Sequence, residues 1–149
     1  MKAESPLMLP VMLNMLKKRL DGANAGLLEK YGLSKLHLLY LLVLYENGEG
    51  MTLKELSDFL DFDKANTSRA ISQLTAKEYV RKSPQGALDL KYKVELTQAG
   101  RDVAAVIWRH NHAVNSGLVR LFTPEELATL LRIAGKLRGF LAGNPPDQA

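Results

Sequence analysis

"DKANTSRAISQL", Asp63 to Leu74, is the stretch that decides how this chain is read. Thr67, Ala70, Ile71 and Leu74 recur at helical spacing, and Asn66, Ser68, Arg69, Ser72 and Gln73 surround them. A turn of about 100° per residue puts Thr67, Ile71 and Leu74 on one face and Ala65, Arg69, Ser72 and Ala76 opposite. Asn66, Ser68 and Gln73 flank the outer face. Bulk water would be better served by Glu and Lys, because Asn and Ser are poor helix formers. Small residues at 65, 72 and 76 let a helix backbone approach a surface, while Asn, Gln and Arg can hydrogen-bond base edges in a major groove. The pattern predicts a helix whose polar side is read by DNA. Asn66 and Arg69 are expected to reach bases or adjacent phosphates, with Ser68, Ser72 and Gln73 assisting. Ala65 would allow close approach or touch a thymine methyl, and Lys64 would meet phosphate. The plainer alternative is a polar surface helix in which Arg69 pairs with Asp63 or Glu78.

The residues just upstream strengthen the first reading. "TLKE" opens a shorter helix, where Thr52 caps a backbone amide, Glu55 reaches back, and Leu53, Leu56 and Leu60 face inward. Asp61 and Phe62 make the turn, without a glycine, and Asp63 caps the second helix. Two short helices across such a connection have the spacing of a helix-turn-helix. Downstream, "YVRKS" and "KYKVEL" read as short strands separated by "PQGALDL", whose Pro84 and Gly86 signal a turn.

The flanks read as helices. The first runs from about Met8 to Tyr31, carrying Met8, Met12, Met15 and Leu16 on one stripe and ending at Gly32. The second, about Ser34 to Glu46, is apolar nearly all round and belongs at the centre. Thr97 caps a fifth helix to about Leu121, and "TPEE" opens a last one at Thr123 that ends near Gly143.

Composition bounds the function. The chain has 149 residues, 46% apolar and 24% charged, which suits one domain with a real core. Absent cysteine excludes disulfides, thiolate catalysis and a thiol switch. Residues 63 to 93 hold seven basic against three acidic side chains, and the remainder balances at 13 against 13. The whole surplus of +4 therefore sits in one segment, the footprint of a nucleic-acid surface. "LMLPVMLNML" near the N-terminus is interrupted by Pro10 and Asn14 and is followed, not preceded, by Lys17, Lys18 and Arg19, so it is no secretory segment. Leu38 to Tyr45 is too short for a membrane span. The expected location is the cytosol, with no membrane partner. No phosphate loop, nucleophile elbow, His-Glu-x-x-His or carboxylate pair is present, so no enzyme and no cofactor are expected.

The order of helix, helix, helix-turn-helix, hairpin and two terminal helices, with "LKELSDFLDFDKANTSRAISQLTAKEYVRKS" and "VELTQAG", resembles the MarR family of bacterial transcriptional regulators. Leu96, Thr97 and Gly100 fit its pattern. The resemblance implies a mainly α fold: a winged helix-turn-helix over about 34–96 with a small β-hairpin wing, and dimerisation helices over about 8–31 and 97–143, all in one domain, 1–149. It implies a homodimer on double-stranded DNA, probing a pseudo-palindromic operator as a repressor. The family's wing carries an Asp and Arg pair before its second strand, and here "GALDLKYK" has Asp89 without the arginine. Lys91 and Lys93 are then the wing's candidates for backbone contact, and a purely structural wing is the alternative.

Some relatives in this family resemble zinc sensors. His110 and His112, two apart on a helix, point to different sides, and His37 stands alone on an apolar helix, so no metal site is expected. The resemblance also implies a pocket for small aromatic or phenolic anions, to which His37, Tyr40, Trp108 and Arg109 are placed to contribute, with Trp108 buried there or in the core. The competing non-enzymatic reading is a winged-helix module that binds a protein partner and DNA weakly or never.

Overall fold

The computed structural model describes residue 5, residues 8–83 and residues 92–141. The element order is α1 (Met8–Tyr31), α2 (Lys35–Asn47), α3 (Leu53–Leu60), α4 (Lys64–Ala76), β1 (Val80–Ser83), β2 (Lys93–Leu96), α5 (Gln98–Val119) and α6 (Pro124–Leu141). The expected hairpin turn with Pro84, Gly86, Asp89 and Lys91, and the stretch around Gly143, lie outside the described residues.

Local chemistry starts and stops each helix. Ser34 Oγ accepts from the His37 amide and His37 Nδ1 accepts from the Ser34 amide, both at 3.1 Å, which closes a capping box on α2. Thr52 and Glu55 do the same for α3, as expected. The turn between α3 and α4 needs a left-handed residue, and Asp61 supplies it at φ 55°, ψ 45°. Asp tolerates that region because its short side chain can bond locally, which explains a helix-turn-helix without glycine. Asp63 Oδ1 then accepts the Asn66 amide at 2.8 Å.

β1 and β2 pair antiparallel, Val80 with Leu96 and Ser83 with Lys93. Met51 adds a bridge on the free side of β2, exchanging both backbone hydrogen bonds with Val94 at 3.0 and 2.7 Å. The wing is thus tied to the start of α3. Glycine is required at residue 100, where a Cβ would stand 1.8 Å from the Tyr79 carbonyl oxygen. The hydroxyl of Thr97 donates to Glu78 O at 2.6 Å and accepts the Gly100 amide at 3.0 Å, joining the end of α4 to the start of α5. This is the physical content of the Leu-Thr…Gly pattern.

The chain divides into two compact units, Met1–Asn111 and His112–Ala149. In the first, Tyr40, Leu41, Leu56, Leu74, Val80, Val94 and Ile107 are fully buried around α2, which occupies the centre. Asn24 of α1 and Asn111 of α5 exchange reciprocal side-chain bonds at 3.1 and 3.0 Å, and each amide also donates to a carbonyl one turn back in its own helix. His110 Nε2 bonds Ala23 O at 2.7 Å. In the second unit, Thr123 and Glu126 form the expected capping box. α6 buries none of its described side chains within the single chain.

Candidate nucleic-acid interface

α4 presents two unlike sides. Thr67, Ala70, Ile71 and Leu74 are buried against the core, and Lys64, Ala65, Asn66, Ser68, Arg69, Ser72 and Gln73 are all exposed. Every side chain expected to meet DNA on this helix therefore reaches the surface. Arg69 makes no ion pair among the described residues, so the pairing with Asp63 or Glu78 is not formed. Asp63 instead holds the Asn66 amide and also its side-chain nitrogen.

α2 fixes α4 from behind at two points. The Tyr40 and Thr67 hydroxyls lie 2.8 Å apart, and Gln73 Oε1 lies 2.8 Å from His37 Nε2. Burial pushes the Tyr40 phenol above its ordinary value, so it stays protonated at neutral pH. His37 and Tyr40 thus brace α4 from α2, and in the sequence only their i, i+3 spacing marks them as sharing a face.

The four residues expected around a ligand do not converge. His37 and Tyr40 face α4. Trp108 is half-buried, not buried, because its indole N–H reaches out to the Glu46 carboxylate, with the Tyr45 ring 6.4 Å away. Arg109 is exposed. A cleft of about 280 Å³ near the C-terminal end of α2 is lined by Leu44, Tyr45, Glu49, Glu95 and Arg101 among others, and by none of those four.

At the wing base, Lys93 is half-buried and faces Ser83 in register. Arg81 pairs with Glu95 at 3.4 Å, and Lys82 lies 4.3 Å over the Tyr92 ring. Lys91, the other wing candidate, lies outside the described residues. Among the described residues no group of three or more His, Asp or Glu side chains could hold a metal ion, and no helix is long and apolar enough to cross a membrane.

A capped two-helix unit with an exposed polar second helix and a following hairpin defines a winged helix-turn-helix, the architecture of DNA-binding transcriptional regulators. Comparisons with known proteins agree. Residues 31–87 match the model of the MarR family. YybA of Bacillus subtilis (strain 168), an uncharacterised HTH-type transcriptional regulator, is 24% identical over 126 residues, which is 85% of this chain and 83% of that protein. A Listeria monocytogenes protein assigned to the MarR family and solved with a 26mer DNA superposes with a TM-score of 0.78 at 23% identity, covering 89% of this chain and 87% of its own. NadR, solved in complex with 4-hydroxyphenylacetate, gives a TM-score of 0.74 at 12% identity, covering 93% and 96%. Over residues 31–87 the chain is thus similar to the MarR family of transcriptional regulators, and the solved structures share its winged-helix fold.

Proposed function

We propose that this regulator binds a pseudo-palindromic operator as a homodimer, with one α4 in each of two major-groove segments about one helical turn apart. The observation that carries the reading is the exposed face of α4, with Lys64, Ala65, Asn66, Ser68, Arg69, Ser72 and Gln73 all at the surface and a buried stripe behind them. Lys93, and Lys91 beyond the described part of the wing, would add backbone contacts. Two-fold assembly is supported by apolar side chains that the single chain leaves exposed: Met12 and Met15 on α1, and Leu130, Leu131 and Leu137 on α6. These helices, with α5, are the proposed dimerisation elements of a single functional domain. Repression is the simplest outcome, since occupying an operator needs nothing beyond affinity.

An aromatic or phenolic acid is the proposed effector, a class supported by the likeness to NadR with 4-hydroxyphenylacetate. His37 and Tyr40 already serve α4, so Trp108 with the Tyr45 ring, and the exposed Arg109 beside it, are the groups left for such a ligand. Selection of bound fragments from genomic DNA, followed by a salt titration on the selected site, tests the main reading. Enrichment of a two-fold site with steep salt dependence is expected. No enrichment over random sequence would favour a protein-binding module instead.

A further inference from the structure

His37 is the only buried imidazole among the described residues, at 6% exposure, and its two ring nitrogens do different work. Nδ1 lies 3.1 Å from the Ser34 backbone nitrogen, and Nε2 lies 2.8 Å from Gln73 Oε1. A backbone N–H can only donate, so Nδ1 must offer a lone pair. The ring hydrogen is therefore on Nε2, and the atom that receives it on Gln73 must be the carbonyl oxygen. A chain of two hydrogen bonds thus runs from the cap of α2 to the exposed side of α4, and it settles which way the Gln73 amide points.

That orientation has a consequence for recognition. A free glutamine reads adenine by accepting from N6 while donating to N7. Here the oxygen is turned toward a buried imidazole, and the Nε2 group, which makes no hydrogen bond among the described residues, is what the exposed side chain offers outward. Two hydrogens with no acceptor beside them suit guanine, whose O6 and N7 both accept, and meet a donor at adenine N6. We infer that His37 is a positioning residue that makes Gln73 a donor-only reader of guanine in each half-site. The inference rests on α4 being the helix that reads DNA, and it adds which base this position selects and why.

The test uses the full chain in selection from a randomised duplex library. Enrichment of any site by the wild-type protein checks the underlying reading. Its absence would remove that reading and this inference together. Given a site, Gln73→Ala marks the base pair that Gln73 reads, by flattening preference there. At that position the wild-type protein should favour guanine over adenine by about tenfold, and replacing the guanine by 7-deazaguanine should weaken wild-type binding about threefold or more. His37→Phe, with its fold checked by circular dichroism, should bring the guanine-to-adenine ratio down to about threefold or less while preferences elsewhere persist. If that variant does not fold, His37→Gln keeps an acceptor for the Ser34 amide and takes its place. A wild-type preference for adenine, indifference to 7-deazaguanine, no position marked by Gln73→Ala, or an unchanged ratio in a folded His37 variant would each overturn the inference, and all four leave operator binding intact.

Discussion

The Tyr40 hydroxyl lies 2.8 Å from the Thr67 hydroxyl, which in turn lies 3.0 Å from the Asp63 carbonyl oxygen. A carbonyl cannot donate, so Thr67 gives its one hydrogen to Asp63 and Tyr40 must give its own to Thr67. The direction of the relay is fixed. Tyr40→Phe should destabilise the fold by about 1 kcal/mol in urea unfolding. Thr67→Val strands a buried phenol and should cost about 2 kcal/mol, and the double variant should cost clearly less than the two together. Additive losses would show that the pair is not coupled.

Gly100→Ala tests how closely α5 approaches the backbone before β1. The added methyl would sit 1.8 Å from a carbonyl oxygen, where no rotamer change relieves it, so helix and strand must part. A loss of about 2 kcal/mol or more is expected, seen as a lowered thermal midpoint. A near-neutral Gly100→Ala would contradict the packing described here.

Acid should weaken the N-terminal cap of α3. Hydrogen bonds from the Thr52 backbone and hydroxyl hold the Glu55 carboxyl below its ordinary value of 4.5. A depressed folded-state value means that the contribution of Glu55 is complete above 4.5 and is lost as pH falls through the lower one. Glu55→Ala should therefore be less stable than wild type at neutral pH, and the gap should narrow as pH falls below 4.5. A gap that widened on acidification would refute the assignment.

On DNA, Arg69 and Lys64 should separate by type of contact. Arg69→Ala should cost about 1 to 3 kcal/mol on the selected site and relax preference at one base pair. Lys64→Ala should weaken binding to all sequences alike and lower the salt slope by about one. Equal behaviour of the two variants would mean that Arg69 touches only phosphate.

Leu131 is 65% exposed in the single chain. Leu131→Glu should barely change the fold of one protomer yet bury a lone charge in a two-fold interface, and sedimentation at micromolar concentration should show monomer. A Leu131→Glu dimer as tight as wild type would place the interface elsewhere.

The parts of this molecule legible in its sequence are those set by short separations. Caps at Thr52, Asp63 and Thr123 and the apolar period of α4 depend on neighbours three or four residues away. No glycine marks the turn before α4 because a sequence shows only residue type, whereas the structure needs a backbone angle that Asp61 also adopts. The ties from His37 and Tyr40 to α4 span 36 and 27 residues, and nothing local announces them. Met51 at β2 is hidden for the same reason, and Trp108 escaped full burial because its polar edge found Glu46.

The Asn24 and Asn111 pair sets a mechanical limit. Each amide is committed across and along, so sliding α1 past α5 by a single turn would break both bonds of the reciprocal pair and leave the side-chain carbonyl of the buried Asn24 without its partner. Leucines at the same positions would slip between neighbouring registers with little penalty. These two helices are geared together, so any relative movement of the fold's parts would have to be taken up where the contacts are apolar and tolerant instead.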